Sequence, residues 1–450
     1  MNTVNASIFK SYDIRGIYPT DLTLETAYLI GQAYAALTGV KKIVVGRDMR
    51  IGSPEIAQRF TDGVVSQGVS VDDVGQVPID AVYFATGKFK YDGGVMVTAS
   101  HNPKEYNGMK MTVLENGISM VRGTDLYHFM EGKAFTFPSA PTPGTVASRD
   151  VMAEYLDHIL SFVDVTKIKP FKIVVDAANG MAGKVMPLLF KQLPCTLIPL
   201  NFNLDGNFPA HPSNPLLPES QAQARQAVPE NRADFGVILD GDTDRLFFID
   251  DRGQVVPPDA TLLVLAQHFL EKEPGAGVAY NAVISRVVPE QVATWGGRPI
   301  RTKVGFVNVA EGMRDQGGIV GGEVSAHYCF RDNFYADSGF IAFLTLLVLI
   351  SEHNKPLSEI VAPFKKYTKA DEVNITVNNI PEVVAAVKSK FTDGRQDELD
   401  GITIEYTDWW FNVRPSNTEP LLRITLEAAT PALTQQHLEE VKGFIQSVAT

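Results

Sequence analysis

Short apolar, β-branched runs alternate along this chain with longer stretches of helical periodicity. The run 41–46 (KKIVVG) reads as a buried strand. Residues 53–68 follow with helical spacing from a Ser-Pro start, the pattern of an N-cap with proline at the first helical position. Further strands are expected at 93–98 (GGVMVT), 171–176 (FKIVVD), 234–239 (DFGVIL), 278–284 and 317–320. Strands alternating with helices predict βαβ units and parallel or mixed sheets. The tetrapeptide KIVV recurs at 42–45 and 172–175. Either it marks duplicated α/β domains or a common strand composition has recurred by chance.

The pattern changes near the end of the chain. Strands at 374–377, 402–406, 409–413 and 421–427 adjoin one another, with helices at 381–391 and 432–448, which predicts a separate α+β domain. The Pro-rich segment 135–144 (FTFPSAPTPG) suits a linker. A length of 450 residues suggests about three or four domains.

Composition narrows the class. Hydrophobic residues make up 45% and charged residues 20%, an ordinary globular balance. The net charge of −12 argues against wrapping nucleic acid or an anionic membrane, so an anionic substrate would need locally concentrated positive charge. Two cysteines, Cys195 and Cys329, fit a reducing compartment rather than a disulfide scaffold. The N-terminal residues carry no apolar run of a secretory signal. The longest apolar stretch, Phe340 to Ile350, is too short for a membrane span and predicts a buried helix. The expectation is a soluble cytoplasmic protein.

Four polar loops carry candidate chemistry. Asp240-Gly241-Asp242-Thr243-Asp244-Arg245 follows an apolar run. Three crowded carboxylates repel unless a hard cation neutralises them, and oxygen-only ligands suit Mg²⁺ or Ca²⁺. A solvated acidic turn is the plain alternative. An EF-hand loop fits poorly, because its sixth position needs glycine and here is Arg245. Thr98-Ala99-Ser100-His101-Asn102-Pro103 places a hydroxyl at a strand end, either a nucleophile or a capping turn. Lys110, ten residues on, supplies positive charge or is a solvated lysine. In Gly322-Glu323-Val324-Ser325-Ala326-His327, alternation would put Glu323, Ser325 and His327 on one face of an extended segment, suited to sugar hydroxyls or simply exposed. Arg414-Pro415-Ser416-Asn417-Thr418-Glu419-Pro420 joins two predicted strands, as a phosphate cradle or a Pro-bounded hairpin. Tyr12-Asp13-Ile14-Arg15-Gly16 and Arg301-Thr302-Lys303 add cations at two more predicted loops.

In combination these motifs resemble the α-D-phosphohexomutase family. TASHNP at 98–103, DGDTDR at 240–245, GEVSAH at 322–327 and RPSNTEP at 414–420 stand in the family's order, with YDIRG at 12–16 and DGNFP at 205–209. GEVSAH followed by YCFRDNFYADSG is most similar to the phosphomannomutase/phosphoglucomutase branch. The resemblance implies three similar α/β domains with mixed sheets and a smaller C-terminal α+β domain around a central cleft. The expected domains are 1–145 with the phosphoserine loop, 146–252 with the metal loop, 253–366 with the sugar loop and 367–450 with the phosphate loop.

The resemblance also implies interconversion of hexose 1-phosphate and hexose 6-phosphate, mannose first and glucose second. Phosphorylated Ser100 and a hexose 1,6-bisphosphate intermediate, also the activator, would carry the reaction. Mg²⁺ would be held by Asp240, Asp242 and Asp244 with Ser100. Glu323, Ser325 and His327 would contact the sugar. Arg414, Ser416, Asn417 and Thr418 would bind the unreactive phosphate. Tyr12, Arg15, His101, Lys110, Arg245 and Lys303 match active-site positions, with His101 and Lys110 expected in acid/base work. The alternatives are a phosphoglucosamine mutase or phosphoglucomutase of the same family, a phosphoserine-dependent phosphatase, or a sugar-phosphate-binding protein without turnover. Two departures stand out. Val304-Gly305-Phe306 replaces a frequent Thr-Gly-His, which bears on sugar preference, and Thr243 replaces a frequent glycine, which should matter little while the carboxylates remain.

Overall fold

The computed structural model describes residues 4–415 and 421–448. The chain forms two compact units, Met1–Pro257 with Ser325–Ile360, and Pro258–Val324 with Val361–Thr450.

The first unit carries two sheets. In the first, Lys42–Arg47 lies between Ser70–Gln76 and Gly93–Val97, all parallel, and Tyr106–Leu114 returns antiparallel beside Gly93–Val97. Ile14–Ile17 extends the sheet beyond Tyr106–Leu114, and Val146–Ser148 joins its opposite edge after the Pro-rich stretch. The second sheet repeats this order. Lys172–Asp176 lies between parallel Thr196–Leu200 and Phe235–Leu239, with Leu246–Ile249 antiparallel at the edge. Both copies of KIVV therefore open topologically equivalent central strands, and the echo reflects a repeated unit. The central strands are apolar runs because their sheets are covered on both faces.

Helices Leu24–Thr38 and Ser53–Ser66 pack unusually closely: a Cβ on Gly31 would lie 2.2 Å from Phe60 O, and one on Gly63 2.1 Å from Tyr28 O. Ser53 is the first helical residue rather than the expected cap. Gly52 takes the cap position, and the Ser53 hydroxyl instead donates to Asp48 Oδ1 at 2.6 Å. The predicted apolar helix is Gly339–His353, buried through nearly its whole length and capped by Ser338 Oγ, which accepts from Ile341 N. Among the described residues, no single helix is long and apolar enough to cross a membrane. Both cysteines are free thiols.

The second unit repeats the parallel core once more, with Gly277–Asn281 between Arg298–Thr302 and Gly318–Gly322. The expected strand at 278–284 stops at Asn281, where the chain turns toward the helix Val287–Thr294 and Ile284 N donates to Asn281 O. Residues 282–284 have strand-like composition but no neighbouring strand to pair with. The C-terminal sheet is antiparallel through Leu421–Ala428, Trp409–Pro415, Ile402–Glu405 and Arg395–Asp397, with Val373–Thr376 also paired to Leu421–Ala428. Helices Ile380–Lys390 and Pro431–Val448 contribute Val383, Val387, Val441 and Ile445 to its apolar core.

Candidate active site

Two buried strands of the first unit end in loops that meet. Gly93–Val97 runs into Thr98, whose hydroxyl accepts from Ser100 N at 2.9 Å and lies 2.7 Å from Asp48 Oδ2. Ser100 itself sits at φ +49°, a left-handed conformation that strains an L-residue. Phe235–Leu239 runs into Asp240. Gly241 permits the contact between the loops, because a Cβ there would fall 2.7 Å from Ser100 O. The Ser100 hydroxyl donates to Asp240 Oδ2 at 2.6 Å and lies 3.1 Å from His101 Nδ1.

Asp240, Asp242 and Asp244 are fully buried, with one carboxylate oxygen from each within 4.8 Å of the others. Sheet register places Lys110 opposite Met96, two residues before Thr98. From there its ammonium reaches Asp242 Oδ2 at 3.0 Å and pairs with Asp244 Oδ2. Arg245 N donates to Asp240 Oδ1 at 3.2 Å, and Arg245 Nε lies 3.3 Å from His327 Nε2. His327 Nδ1 lies 2.9 Å from Ser325 Oγ, and His327 Nε2 lies 3.4 Å from Asp244 Oδ1.

Burial and the neighbouring Asp244 and Asp242 carboxylates push Asp240 well above the ordinary carboxylate range. Burial raises Asp244 too, but Lys110 and His327 outweigh it and hold that group well below its ordinary value. Burial also acts against the Lys110 charge, yet Asp242 and Asp244 together raise its pKa. Burial, then Arg245 and Arg15, push His101 well below the ordinary imidazole range, so it is neutral beside the serine hydroxyl. Asp242 Oδ1 is buried with no hydrogen-bond partner, and Asp244 Oδ1 faces only His327 Nε2, at 3.4 Å. An orphaned oxygen in an oxygen-only set fits a hard cation, and the cluster can bind a metal ion.

Among the expected site residues, Ser100, His101, Lys110, Asp240, Asp242, Asp244, Arg245, Ser325 and His327 thus gather in one unit. Arg15 joins them by donating from Nη1 to Ala99 O at 2.7 Å and pairing with Asn102 and Asp13. Tyr12 is half-buried, its ring 5.6 Å from the Arg122 guanidinium. Lys303, Glu323 and Arg414 belong to the second unit. Lys303 is exposed after the strand Arg298–Thr302. Glu323 is buried, its Oε2 accepting from Gly305 N at 3.1 Å and Asn281 Nδ2 at 3.4 Å. Arg414 is buried and paired with Glu372 at 3.0 Å. Ser416, Asn417 and Thr418 lie outside the described residues.

One expectation needs correction. GEVSAH is not extended: the chain turns at Val324 and Ser325 and Ala326 takes φ +65°, so alternation does not place the three side chains on one face. Thr243 also has a backbone consequence, because it stands at φ +75°, where glycine is unstrained and a β-branched residue is not. Sequence reading missed Asp48 and Arg50, which lie under the Ser100 loop. Their signal was present: GRDMR at 46–50 follows a buried strand directly, as the other charged loops do.

Comparison with known proteins extends this picture along the whole chain. The four successive family models "Phosphoglucomutase/phosphomannomutase", alpha/beta/alpha domains I, II and III and C-terminal domain, match residues 6–125, 153–253, 257–367 and 372–443. A Xanthomonas campestris protein named for phosphohexose mutases is 38% identical over 443 residues, covering 97% of this chain and 99% of its own. An Escherichia coli phosphomannomutase is 37% identical over 451 residues, with 97% and 99% covered. The crystal structure of a phosphoglucomutase/phosphomannomutase family protein from Burkholderia thailandensis superposes with a TM-score of 0.89 at 31% identity, over 99% of this chain and 98% of that one. The chain therefore belongs to the phosphoglucomutase/phosphomannomutase family, and the protein is a phosphohexomutase.

Proposed function

We propose that Ser100 carries the phosphoryl group and that mannose phosphates are the preferred substrates, with glucose phosphates second. The observation that supports this reading is the strained Ser100, its hydroxyl held 2.6 Å from a three-carboxylate cluster and 3.1 Å from a neutral histidine. Phosphorylated Ser100 donates to the free hydroxyl of a hexose monophosphate. The P–O bond to Ser100 breaks as the bond to the sugar oxygen forms, and the hydroxyl proton passes to a base. The hexose 1,6-bisphosphate turns over and returns its other phosphoryl group to Ser100, which is why the same bisphosphate activates the enzyme.

Such transfer rests on positioning and charge neutralisation. A phosphoserine brings about −1.5 to −2 charge. Mg²⁺ held by Asp240, Asp242 and Asp244, with Ser100 or its phosphate, would supply the main neutralising charge. Lys110, tied to two carboxylates, acts as a fixed cation. Neutral His101 is the better proton acceptor. Arg245, Arg15 and Tyr12 serve the reacting phosphoryl group. Glu323, Ser325 and His327 take sugar hydroxyls, and Arg414, Ser416, Asn417, Thr418 and Lys303 take the distant phosphate. The proposed domains span 1–145, 146–252, 253–366 and 367–450, and a cytoplasmic location fits the free thiols.

The test is a coupled assay of mannose 1-phosphate and glucose 1-phosphate side by side, with Mg²⁺ and a trace of glucose 1,6-bisphosphate. Turnover that disappears in Ser100→Ala supports the nucleophile, and the ratio of kcat/KM values names the sugar. Turnover persisting in Ser100→Ala overturns the phosphoserine route. Release of inorganic phosphate at the rate of substrate loss would make the enzyme a phosphatase instead.

A further inference from the structure

Arg50 is among the largest fully buried side chains of the described residues, and it ends directly under the Ser100 loop. Its Nη2 donates to Ser100 O at 2.8 Å and Asn102 O at 2.6 Å. Its Nη1 donates to Pro103 O at 2.8 Å and Tyr106 O at 2.9 Å. One guanidinium thus collects four carbonyls from a seven-residue loop. The remaining nitrogen, Nε, lies 3.4 Å from Asp48 Oδ2. Asp48 in turn holds Thr98 Oγ1 at 2.7 Å, Ser53 Oγ at 2.6 Å and Arg50 N at 2.9 Å. The DGNFP segment closes the other side. The Phe208 ring centroid is 4.8 Å from the guanidinium carbon, and a Cβ on Gly206 would fall 2.8 Å from the Arg50 Cα.

We infer that Arg50 is a positioning residue that holds the Ser100 loop in its phosphoryl-transfer conformation. The inference rests on the assignment of Ser100 as nucleophile. Ser100 at φ +49° is strained, and such a conformation persists only when its surroundings impose it. Arg50 imposes it through the Ser100 carbonyl itself. Drawing four carbonyl oxygens onto a buried cation also turns their negative ends toward the guanidinium instead of toward the phosphoryl group. The planar fork of arginine can serve four acceptors at fixed angles, whereas a lysine ammonium has three donors on a flexible stem. Arg50 is too deeply buried to touch substrate, so its effect must pass through the loop.

The experiment compares Arg50→Lys, which keeps the charge, with wild type and Ser100→Ala in the Mg²⁺-loaded enzyme. The expected result is a kcat lower by about 10²-fold, KM for the sugar phosphate within about twofold, and most of the wild-type melting temperature retained. The ³¹P resonance of enzyme phosphorylated with glucose 1,6-bisphosphate should shift or broaden in the variant. In Arg50→Ala, guanidinium at millimolar concentration should restore part of kcat. A kcat within twofold of wild type in Arg50→Lys overturns the inference. So does a loss fully accounted for by the unfolded fraction, or a rise in KM at constant kcat. If Arg50→Lys does not fold, Phe208→Leu substitutes, with faster hydrogen exchange of amides 99–106 expected and unchanged exchange counting against the proposal. Activity persisting in Ser100→Ala would sink the nucleophile assignment separately, whatever Arg50→Lys does.

Discussion

Lys110→Met removes the ammonium from between two buried carboxylates while keeping most of the side-chain volume. Lys110 is 2% exposed and its partners Asp242 and Asp244 are 0% exposed, so solvent cannot replace the lost charge. Removing one partner of such a buried pair is worth about 3–5 kcal/mol. At roughly 2–4 °C per kcal/mol for a domain of this scale, the melting temperature in EDTA should fall by about 6–20 °C. A divalent cation neutralises the same carboxylates and adds stability as RT ln(1 + [L]/Kd), about 2.7 kcal/mol at a hundredfold excess over Kd. With the competing ammonium gone, Mg²⁺ should stabilise the variant by more than it stabilises wild type. Differential scanning fluorimetry across a Mg²⁺ titration, beginning in EDTA, measures both quantities. A drop in EDTA of less than about 2 °C, or equal Mg²⁺ shifts in the two proteins, would refute the reasoning that Lys110 and a metal share one acidic cluster.

Other outcomes follow from single sites. Burial pushes Asp80 up to about 7, against the hydrogen bond it accepts from Ser338 at 2.6 Å. The folded state then holds the proton more tightly than the unfolded one, so this stabilisation is complete below about pH 4 and lost as pH rises through about 7. Asp80→Asn should flatten the melting temperature between about pH 4 and 7, and parallel curves for variant and wild type would contradict it. Gly63→Ala forces a Cβ to within 2.1 Å of Tyr28 O and should lower stability by about 1–3 kcal/mol in urea titration. An unchanged midpoint would show that the helix pair is not as tight as described. Phe306→His introduces the side chain that the sequence resemblance leads one to expect at this position. It should lower KM for mannose 1-phosphate, and an unaltered KM would clear Phe306 of any part in substrate choice.

The Ser100 and Asp240 loops were readable because each follows an apolar strand directly, and charge at the end of a buried strand has few structural uses. The helix Gly339–His353 was readable from a long apolar run, interrupted by Thr345, after a serine that can cap it. Local pattern failed where the outcome depended on a neighbour. Residues 282–284 look like strand and turn instead, since pairing needs a partner that composition does not supply. GEVSAH alternates in sequence but bends at Val324 and Ser325.

The chain's own residues determined its class of elements, the chemistry of its loops and the family it belongs to, because these depend on residue type and order. Tertiary structure decided the rest. It turned a four-residue echo into equivalent central strands, since equivalence is a matter of pairing order. It brought Lys110 against Asp242 and Asp244, more than a hundred residues away in sequence, through the register of one strand beside another. It buried Arg50 beneath Ser100 and shifted His101 and Asp240 in opposite directions, because burial and the proximity of charges exist only once the chain is folded.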